Sequence, residues 1–193
     1  SEGVCTKCGY IKPQPEVLAK YIDISMENEI MYNVSFSLKN IDSVDESKMG
    51  LLVFDANSPE GTLATASDVV EGAVAANGKY TVHTMGIHPK ALGDTVYLKV
   101  YVQLSDGSYV YSDIMSYNAV HYANTVLKNP NSSTAKKSFM VSLLNYGAEA
   151  QKYFGYNTNS LANAKLTTAQ KSLAAEYSEN MAADTAAVDR SKL

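Results

Sequence analysis

The feature that most constrains the fold is a change in the spacing of apolar residues near Tyr117. Before that point, apolar residues recur mostly at every second position, which is typical of strands with one buried face. After it, they recur at the three- and four-residue spacing of helices. The chain is therefore predicted to be α+β: an antiparallel β-sandwich of immunoglobulin-like proportions, followed by two to three packed C-terminal α-helices.

The β half contains six clear candidate strands, separated by turn residues. They cover residues 17–26, 32–38, 51–54, 79–85, 95–104 and 109–114. Asn77-Gly78 is a strong tight-turn pair, and residues 57–61 carry the Asn, Ser, Pro and Gly of a turn. Residues 62–78 fit either a short helix over residues 69–75 or a long excursion that contains a short strand, and residues 87–94 are predicted to form a loop. Six to eight strands are expected in total.

The best-supported hairpin carries most of the candidate binding residues. Tyr97 and Tyr101 alternate with apolar residues, Asp106-Gly107 is a type I′ turn pair, and Tyr109 and Tyr111 follow on the return strand. Each pair of tyrosines therefore shares one face of its strand. Tyrosine combines apolar area with a polar tip, which suits half-wet recognition surfaces. Tyr97, Tyr101, Tyr109 and Tyr111 are the candidate ligand-binding residues, unless the helices cover them.

Three helices are predicted after residue 117. The first ends at Asn129-Pro130, and the second begins after a cap in residues 132–134 and stops at Gly155. The third runs from about residue 169 to 181 and is capped by Thr167-Thr168. One apolar stripe of the second helix is predicted to be Met140, Leu143, Gly147, Ala150 and Phe154. Gly147 within it is expected to allow a neighbouring element to approach closely.

These patterns divide the chain into four regions. Residues 1–16 are interpreted as the tail of a preceding module with Cys5 and Cys8, joined to a proline linker. Residues 17–116 are the sandwich, residues 117–181 a helical subdomain packed on it, and residues 182–193 a frayed tail. The two cysteines need two further ligands to hold zinc, and His83 and His88 lie too far along the chain for a finger. No metal site is predicted.

Composition excludes several classes of function. The net charge is −4, Arg190 is the only arginine, and no basic stripe is visible, so no nucleic-acid partner is expected. The near absence of arginine also argues against nucleotide and anion chemistry. No apolar run is long enough to cross a membrane, so no membrane insertion is expected. No signal peptide is visible, and the chain is interpreted as a piece of a longer protein.

No catalytic motif is present around any of the three histidines, His83, His88 and His121. No Gly-x-Ser-x-Gly elbow and no phosphate-cradling loop occur. Asp42, Asp45 and Glu46 cluster as calcium ligands would, but they lack the EF-hand pattern. Lys99 is the position to examine for a side-chain crosslink. The sequence therefore predicts no enzyme, no catalytic residue and no cofactor.

Residues 87–166 resemble repeated extracellular modules of large secreted and cell-surface proteins of gut Gram-positive anaerobes. The resemblance is carried by the LGDTVY segment at 92–97, the YVYS segment at 109–112, and residues 143–157, which read LLNYGAEAQKYFGYN. It implies an exported location at the cell wall and neighbouring modules in the same polypeptide. Proteins of this type have been linked to adhesion, to glycan capture and to binding of host immunoglobulins. The resemblance assigns no functional residue.

Three functions fit these observations. The first is a non-catalytic extracellular binding module of a bacterial surface protein, whose ligand is a host macromolecule, either an immunoglobulin or a glycoprotein. The second is a carbohydrate-binding module, against which the absence of Trp counts mildly. The third is a passive spacer domain. The expected partners are a host protein or glycan and the neighbouring modules.

Overall fold

The structure, a computed structural model, describes residues 13–26, 29–41, 44–84 and 86–174. Within them the chain forms nine strands, two α-helices with both ends defined and a further helix over residues 168–174. The strands are β1 (Glu16–Met26), β2 (Ile30–Lys39), β3 (Met49–Phe54), β4 (Asp68–Glu71), β5 (Val74–Ala76), β6 (Lys79–His83), β7 (Val96–Gln103), β8 (Tyr109–Tyr111) and β9 (Met115–Tyr117). The helices are α1 (Ala119–Lys128) and α2 (Thr134–Phe154). Single 3-10 turns occupy Glu46–Lys48, Leu63–Thr65 and Pro89–Ala91.

The described residues fall into two compact units. The β unit comprises the residues up to Ile87 together with Thr95–Tyr117. The helical unit comprises His88–Asp94 and the residues from Asn118 onward. The short segment that was predicted as a loop before β7 therefore belongs to the helical unit, and it contains the Pro89–Ala91 turn.

Two antiparallel sheets build the β unit. One has the strand order β1-β2-β6-β5, and the other has the order β4-β3-β7-β8, with β9 also paired to β7. Apolar side chains from both sheets form one core cluster: Val17, Val34, Phe36, Met49, Leu51, Val82, Leu98, Val100 and Val102. The predicted α+β class, a sandwich followed by helices, is confirmed.

Residues 69–75 form strands, which resolves the open choice between helix and strand. β4 pairs with β3 in one sheet, whereas β5 pairs with β6 in the other. Gly72 lies between them with φ 84°, a conformation that glycine adopts without steric cost. The β5–β6 hairpin closes through Asn77 and Gly78, both with positive φ, as a type I′ turn requires.

The turn between β7 and β8 is not type I′, so that prediction is wrong. Among the residues of this turn, only Gly107 has positive φ. Its N–H donates to the carbonyl of Leu104 over 2.9 Å. The Asp106 carboxylate accepts hydrogen bonds from the N–H and the hydroxyl of Ser108. These side-chain bonds stabilise a three-residue loop with glycine in the left-handed position.

The helical region begins two residues later than the spacing predicted. Tyr117 is still the last residue of β9, where it pairs with Val96. Asn118 then caps α1, because its side-chain oxygen accepts the N–H of His121 over 2.7 Å. Local capping therefore determines the start of α1, and the apolar spacing alone does not.

The helical unit has its own core, made by α1, α2 and the residues that follow them. It comprises Ala123, Val126, Leu127, Met140, Val141, Leu144, Ala162, Leu166 and Ala174. α2 ends at Gly155 in the left-handed conformation, as predicted. The third helix begins at residue 168 after reciprocal hydrogen bonds between Thr167 and Gln170. Its predicted end at residue 181 lies outside the described residues.

Only part of the predicted apolar stripe of α2 is buried. Met140, Leu143 and Gly147 are buried, but Phe154 is 62% exposed. The last buried residue of α2 is Gln151, so Phe154 lies on the final turn, beyond the covered part of the helix. No helix among the described residues is long and apolar enough to cross a membrane.

Candidate ligand-binding surface

The four predicted tyrosines lie on one face of the five-stranded sheet. Leu98, Val100 and Val102 of β7 point into the core, so the alternating Tyr97 and Tyr101 point away from it. Tyr101 pairs directly with Tyr111 across β7 and β8, and Tyr109 pairs with Gln103. The alternation read from the sequence therefore identified the shared face.

Three of these rings form a contiguous group, called here the tyrosine cluster: Tyr101, Tyr109 and Tyr111. The ring centroids of Tyr101 and Tyr109 are 6.2 Å apart at an interplanar angle of 59°. Those of Tyr109 and Tyr111 are 6.3 Å apart and nearly parallel, at 20°. These separations are within the range of favourable aromatic pairs, so each ring restricts the movement of the next.

The four tyrosines differ in exposure. Tyr101 is 4% exposed, Tyr109 is 42% exposed, and Tyr97 and Tyr111 are half-buried. Tyr101 therefore offers little surface of its own to a ligand and instead supports its neighbours. Tyr109 and Tyr111 present the accessible part of the cluster.

A loop of the β unit covers part of this face. Residues 55–67 connect β3 to β4, and Leu63 and Ala66 from this loop pack against a small second core of Leu52, Phe54 and Tyr101. The sequence had suggested the helices as the cover. Within the β unit the cover is this loop, which no apolar pattern had indicated.

Lys99 holds the covering loop in place. Its ammonium donates to the carbonyl of Pro59 over 2.8 Å and to the carbonyl of Gly61 over 3.0 Å, and it lies 5.3 Å from the centroid of the Tyr111 ring. The side chain is almost completely buried. A buried ammonium requires such partners, because desolvation disfavours an unpaired charge. The residue flagged for a possible crosslink thus links the loop to the tyrosine face noncovalently.

Gly50 gives Tyr101 the space to lie across the sheet. It pairs with Tyr101 between β3 and β7, and a Cβ placed on it would lie 2.8 Å from the Tyr101 ring and would also clash with the carbonyl oxygen of Val70. Burial of Tyr101, followed by the nearby Glu71 carboxylate and Tyr109, raises the pKa of its hydroxyl. The hydroxyl therefore stays protonated at neutral pH.

Other residues singled out in the sequence have structural partners or lie outside the described residues. The His83 ring is 2.6 Å from the side-chain oxygen of Asn33. The Asp45 carboxylate accepts the hydroxyl and N–H of Ser47, which lowers the pKa of Asp45. Asp42, the predicted companion of Asp45 in a calcium cluster, lies outside the described residues, as do Cys5 and Cys8.

An exposed aromatic group on α2 was missed as a possible functional surface. Tyr146 is 59% exposed and Tyr153 is 84% exposed. Together with the exposed Phe154 they occupy the last turns of α2. The sequence signal for this surface was the seven-residue spacing of Tyr146 and Tyr153, which places both rings on one helix face. Glu149 lies between them, and a charged residue on that face indicates that it is exposed to solvent.

The segment after α2 is fixed by Asp94. The hydroxyl of Tyr156 donates to one carboxylate oxygen of Asp94 over 2.6 Å, and the amide of Asn157 donates to the other over 3.3 Å. The hydrogen bond to Asp94, and then the charge of that carboxylate, raise the pKa of Tyr156. All three residues belong to the helical unit.

Comparisons with known proteins give little similarity. No family model and no curated protein matches the chain. Among solved structures, a DUF3823 family protein from Bacteroides ovatus ATCC 8483 is similar, with a TM-score of 0.38 and 12% sequence identity. The match covers 56% of this chain and 57% of that protein, so the chain spans little more than half of its length.

Proposed function

We propose that the protein is a non-catalytic extracellular binding module of a bacterial surface protein, and that its ligand is a host macromolecule, an immunoglobulin or a glycoprotein. The observation that carries the proposal is the tyrosine cluster. Tyr109 and Tyr111 are stacked, accessible and supported from below by the buried Tyr101.

This arrangement favours recognition of a protein surface. Tyrosine supplies a large amphipathic contact area while immobilising few torsions, which is why it is enriched in binding sites of antibodies. Rings that are already fixed before binding lose less conformational freedom when a partner arrives. Lys99 and the loop at 55–67 provide that fixation from within the β unit.

The cluster lies at the edge of its sheet. β8 is the last strand in the hydrogen-bonded order of its sheet. Partner proteins use both exposed aromatic rings and accessible strand edges. We therefore assign the direct contact to Tyr109 and Tyr111, with Tyr97 and Tyr101 as the supporting residues of the candidate set.

The test compares three forms of the immobilised protein: the wild type, a Tyr109→Ser/Tyr111→Ser double variant and a Tyr21→Ser control. Tyr21 is an exposed tyrosine on β1 of the other sheet. Each form is challenged with human serum and mucosal secretions, and separately with a polysaccharide array. We expect the wild type and the control to retain antibody chains or a glycoprotein, identified by mass spectrometry, and the double variant to lose them.

Three other outcomes would decide against parts of the proposal. Full retention by the double variant would exclude the tyrosine cluster as the contact. Retention of glycan without protein would favour the carbohydrate-binding module. Failure of all forms in both arms would favour the spacer domain.

A further inference from the structure

A separate cleft lies within the helical unit, independent of the tyrosine cluster. It has a volume of about 620 Å³ and lies between the C-terminal half of α2 and the turn at Pro89–Ala91. Clefts of this size accommodate small ligands. The residues that matter for its chemistry are Lys90, Tyr146, Glu149, Ala150 and Tyr153, with Phe154 at one end.

Two exposed tyrosines flank a small residue along the helix. Tyr146, Ala150 and Tyr153 are spaced by four and three residues, so they lie on one face. The seven residues from Tyr146 to Tyr153 correspond to a rise of roughly 10 Å. Because Ala150 has no side chain beyond Cβ, the helix offers a shallow floor between two aromatic rings.

Gly147 allows the Pro89–Ala91 turn to form the other side of the cleft. A Cβ on Gly147 would lie 2.7 Å from Leu92 Cδ1 and 3.2 Å from the carbonyl oxygen of Pro89. Glycine therefore favours the close approach of the turn to α2, because a larger residue would press on both groups. The hydrogen bond from Tyr156 to Asp94 holds the other end of the same segment.

This packing places a cation at the aromatic cleft. The Lys90 ammonium lies 5.1 Å from the ring centroid of Phe154 and 5.4 Å from that of Tyr156. None of the ion pairs among the described residues includes Lys90, whereas Glu149 is paired with Lys152 over 2.7 Å. Lys90 is therefore the charge that remains for a ligand, and it would attract an anionic group.

We propose that this cleft binds a saccharide that carries a carboxylate. The faces of aromatic rings are electronegative and attract partial positive charge, and the C–H bonds of a sugar ring supply such charge against Tyr146 and Tyr153. The saccharide carboxylate pairs with Lys90, which acts as a point charge and needs no arginine fork. The Glu149 carboxylate can accept hydrogen bonds from sugar hydroxyls.

The test uses two disaccharides that differ only at the terminal sugar, one ending in glucuronic acid and the other in glucose. Both are titrated into the isotopically labelled protein while the backbone amide signals of residues 146–157 are followed by NMR. We expect the acidic disaccharide to shift these signals and to bind about tenfold more tightly than the neutral one.

Variants separate the parts of the proposal. Lys90→Gln is expected to weaken binding of the acidic disaccharide about tenfold and to leave the neutral one unchanged. Tyr153→Ala removes a ring that is 84% exposed and is expected to weaken binding of both disaccharides. Lys79→Gln, at an exposed lysine of the β unit, serves as the control and is expected to bind both disaccharides as the wild type does.

Several results would overturn the proposal. Equal affinity for the two disaccharides, no shift with either, or retention of full affinity by Lys90→Gln would each exclude an acidic saccharide at this cleft. Self-association that Tyr153→Ala abolishes would identify a second copy of the chain as the occupant. Because Lys90 and Tyr153 lie outside the tyrosine cluster, the outcome is independent of the proposed protein-binding function.

Discussion

The two units present their exposed tyrosines in different ways. In the β unit, register across β7 and β8 brings Tyr101, Tyr109 and Tyr111 together, and a loop covers part of the same face. In the helical unit, Tyr146 and Tyr153 share a face through helical spacing, and both rings are largely exposed. The sheet surface thus depends on strand pairing across a hairpin and on a covering loop distant in sequence, whereas the helix surface depends on neighbours a few positions apart.

Both units also use one buried polar side chain to hold a long loop. Lys99 donates to two carbonyls of the loop at 55–67. Gln151 donates to the carbonyl of Ser160 over 3.1 Å and accepts the N–H of Ala162 over 2.8 Å. The difference is that the lysine bonds are charge-assisted, while the neutral amide satisfies one donor and one acceptor. Substitutions at these residues and at Gly50 and Gly147 measure how far each surface depends on its support.

The largest effect is expected for Gly50→Ala. The added Cβ clashes with the backbone carbonyl of Val70 and with the Tyr101 ring, and neither can move without disturbing the sheet. We expect a loss of about 3 kcal/mol in the free energy of unfolding, measured by urea denaturation. Gly93→Ala is the control, because its Cβ would be 3.8 Å from the nearest atom, a methyl of Val120. Similar unfolding midpoints for the two variants would show that β3 and β4 adjust freely.

A smaller loss is expected for Lys99→Met. Methionine keeps much of the apolar stem but removes both hydrogen bonds, which leaves the carbonyls of Pro59 and Gly61 without their donor. The expected loss is about 2 kcal/mol, together with faster amide hydrogen exchange in residues 55–67. Lys48→Met, at an exposed lysine of the same unit, should change neither quantity. Unchanged exchange in the loop would mean that apolar packing alone holds it.

Gln151→Met tests the corresponding side-chain hydrogen bonds to a loop in the helical unit. The substitution leaves the N–H of Ala162 buried without its acceptor, and the expected loss is about 1.5 kcal/mol, less than for Lys99 because no charge is involved. Hydrogen exchange should increase at Ala162. Gln103→Met, where the side-chain bond is 3.4 Å long, is the matched control. A loss of stability larger than that for Lys99→Met would show that the Gln151 hydrogen bonds contribute more than those of Lys99.

The smallest effect is expected for Gly147→Ala. Its nearest obstacle is the tip of the Leu92 side chain, which can rotate, although the Pro89 carbonyl is also close. Alanine also favours the helix by about 1 kcal/mol, so we expect a net loss of about 1 kcal/mol by urea denaturation. A variant more stable than the wild type would show that the turn at Pro89–Ala91 moves away from α2 without cost.

Element type and the shared faces could be predicted because they depend on local spacing. Alternation in β7 identified the common face of Tyr97 and Tyr101, and Gly155 marked the end of α2. The turn at Asp106-Gly107 was mispredicted, because the same dipeptide suits two loop lengths and the bonds of Asp106 to Ser108 favour the longer one. The ends of strands and helices depend on such side-chain hydrogen bonds, and the spacing of apolar residues does not reveal them.

The sequence by itself determined that a sandwich precedes the helices and which tyrosines share a face, since both follow from the period of apolar residues. Tertiary structure alone decided which of those tyrosines are accessible. Tyr101 is buried because the loop held by Lys99 covers its face, and the partners of Lys99 lie about 40 positions away. Phe154 is exposed because the covered part of α2 ends at Gln151. Exposure depends on segments that meet only in three dimensions, and no local pattern records those contacts.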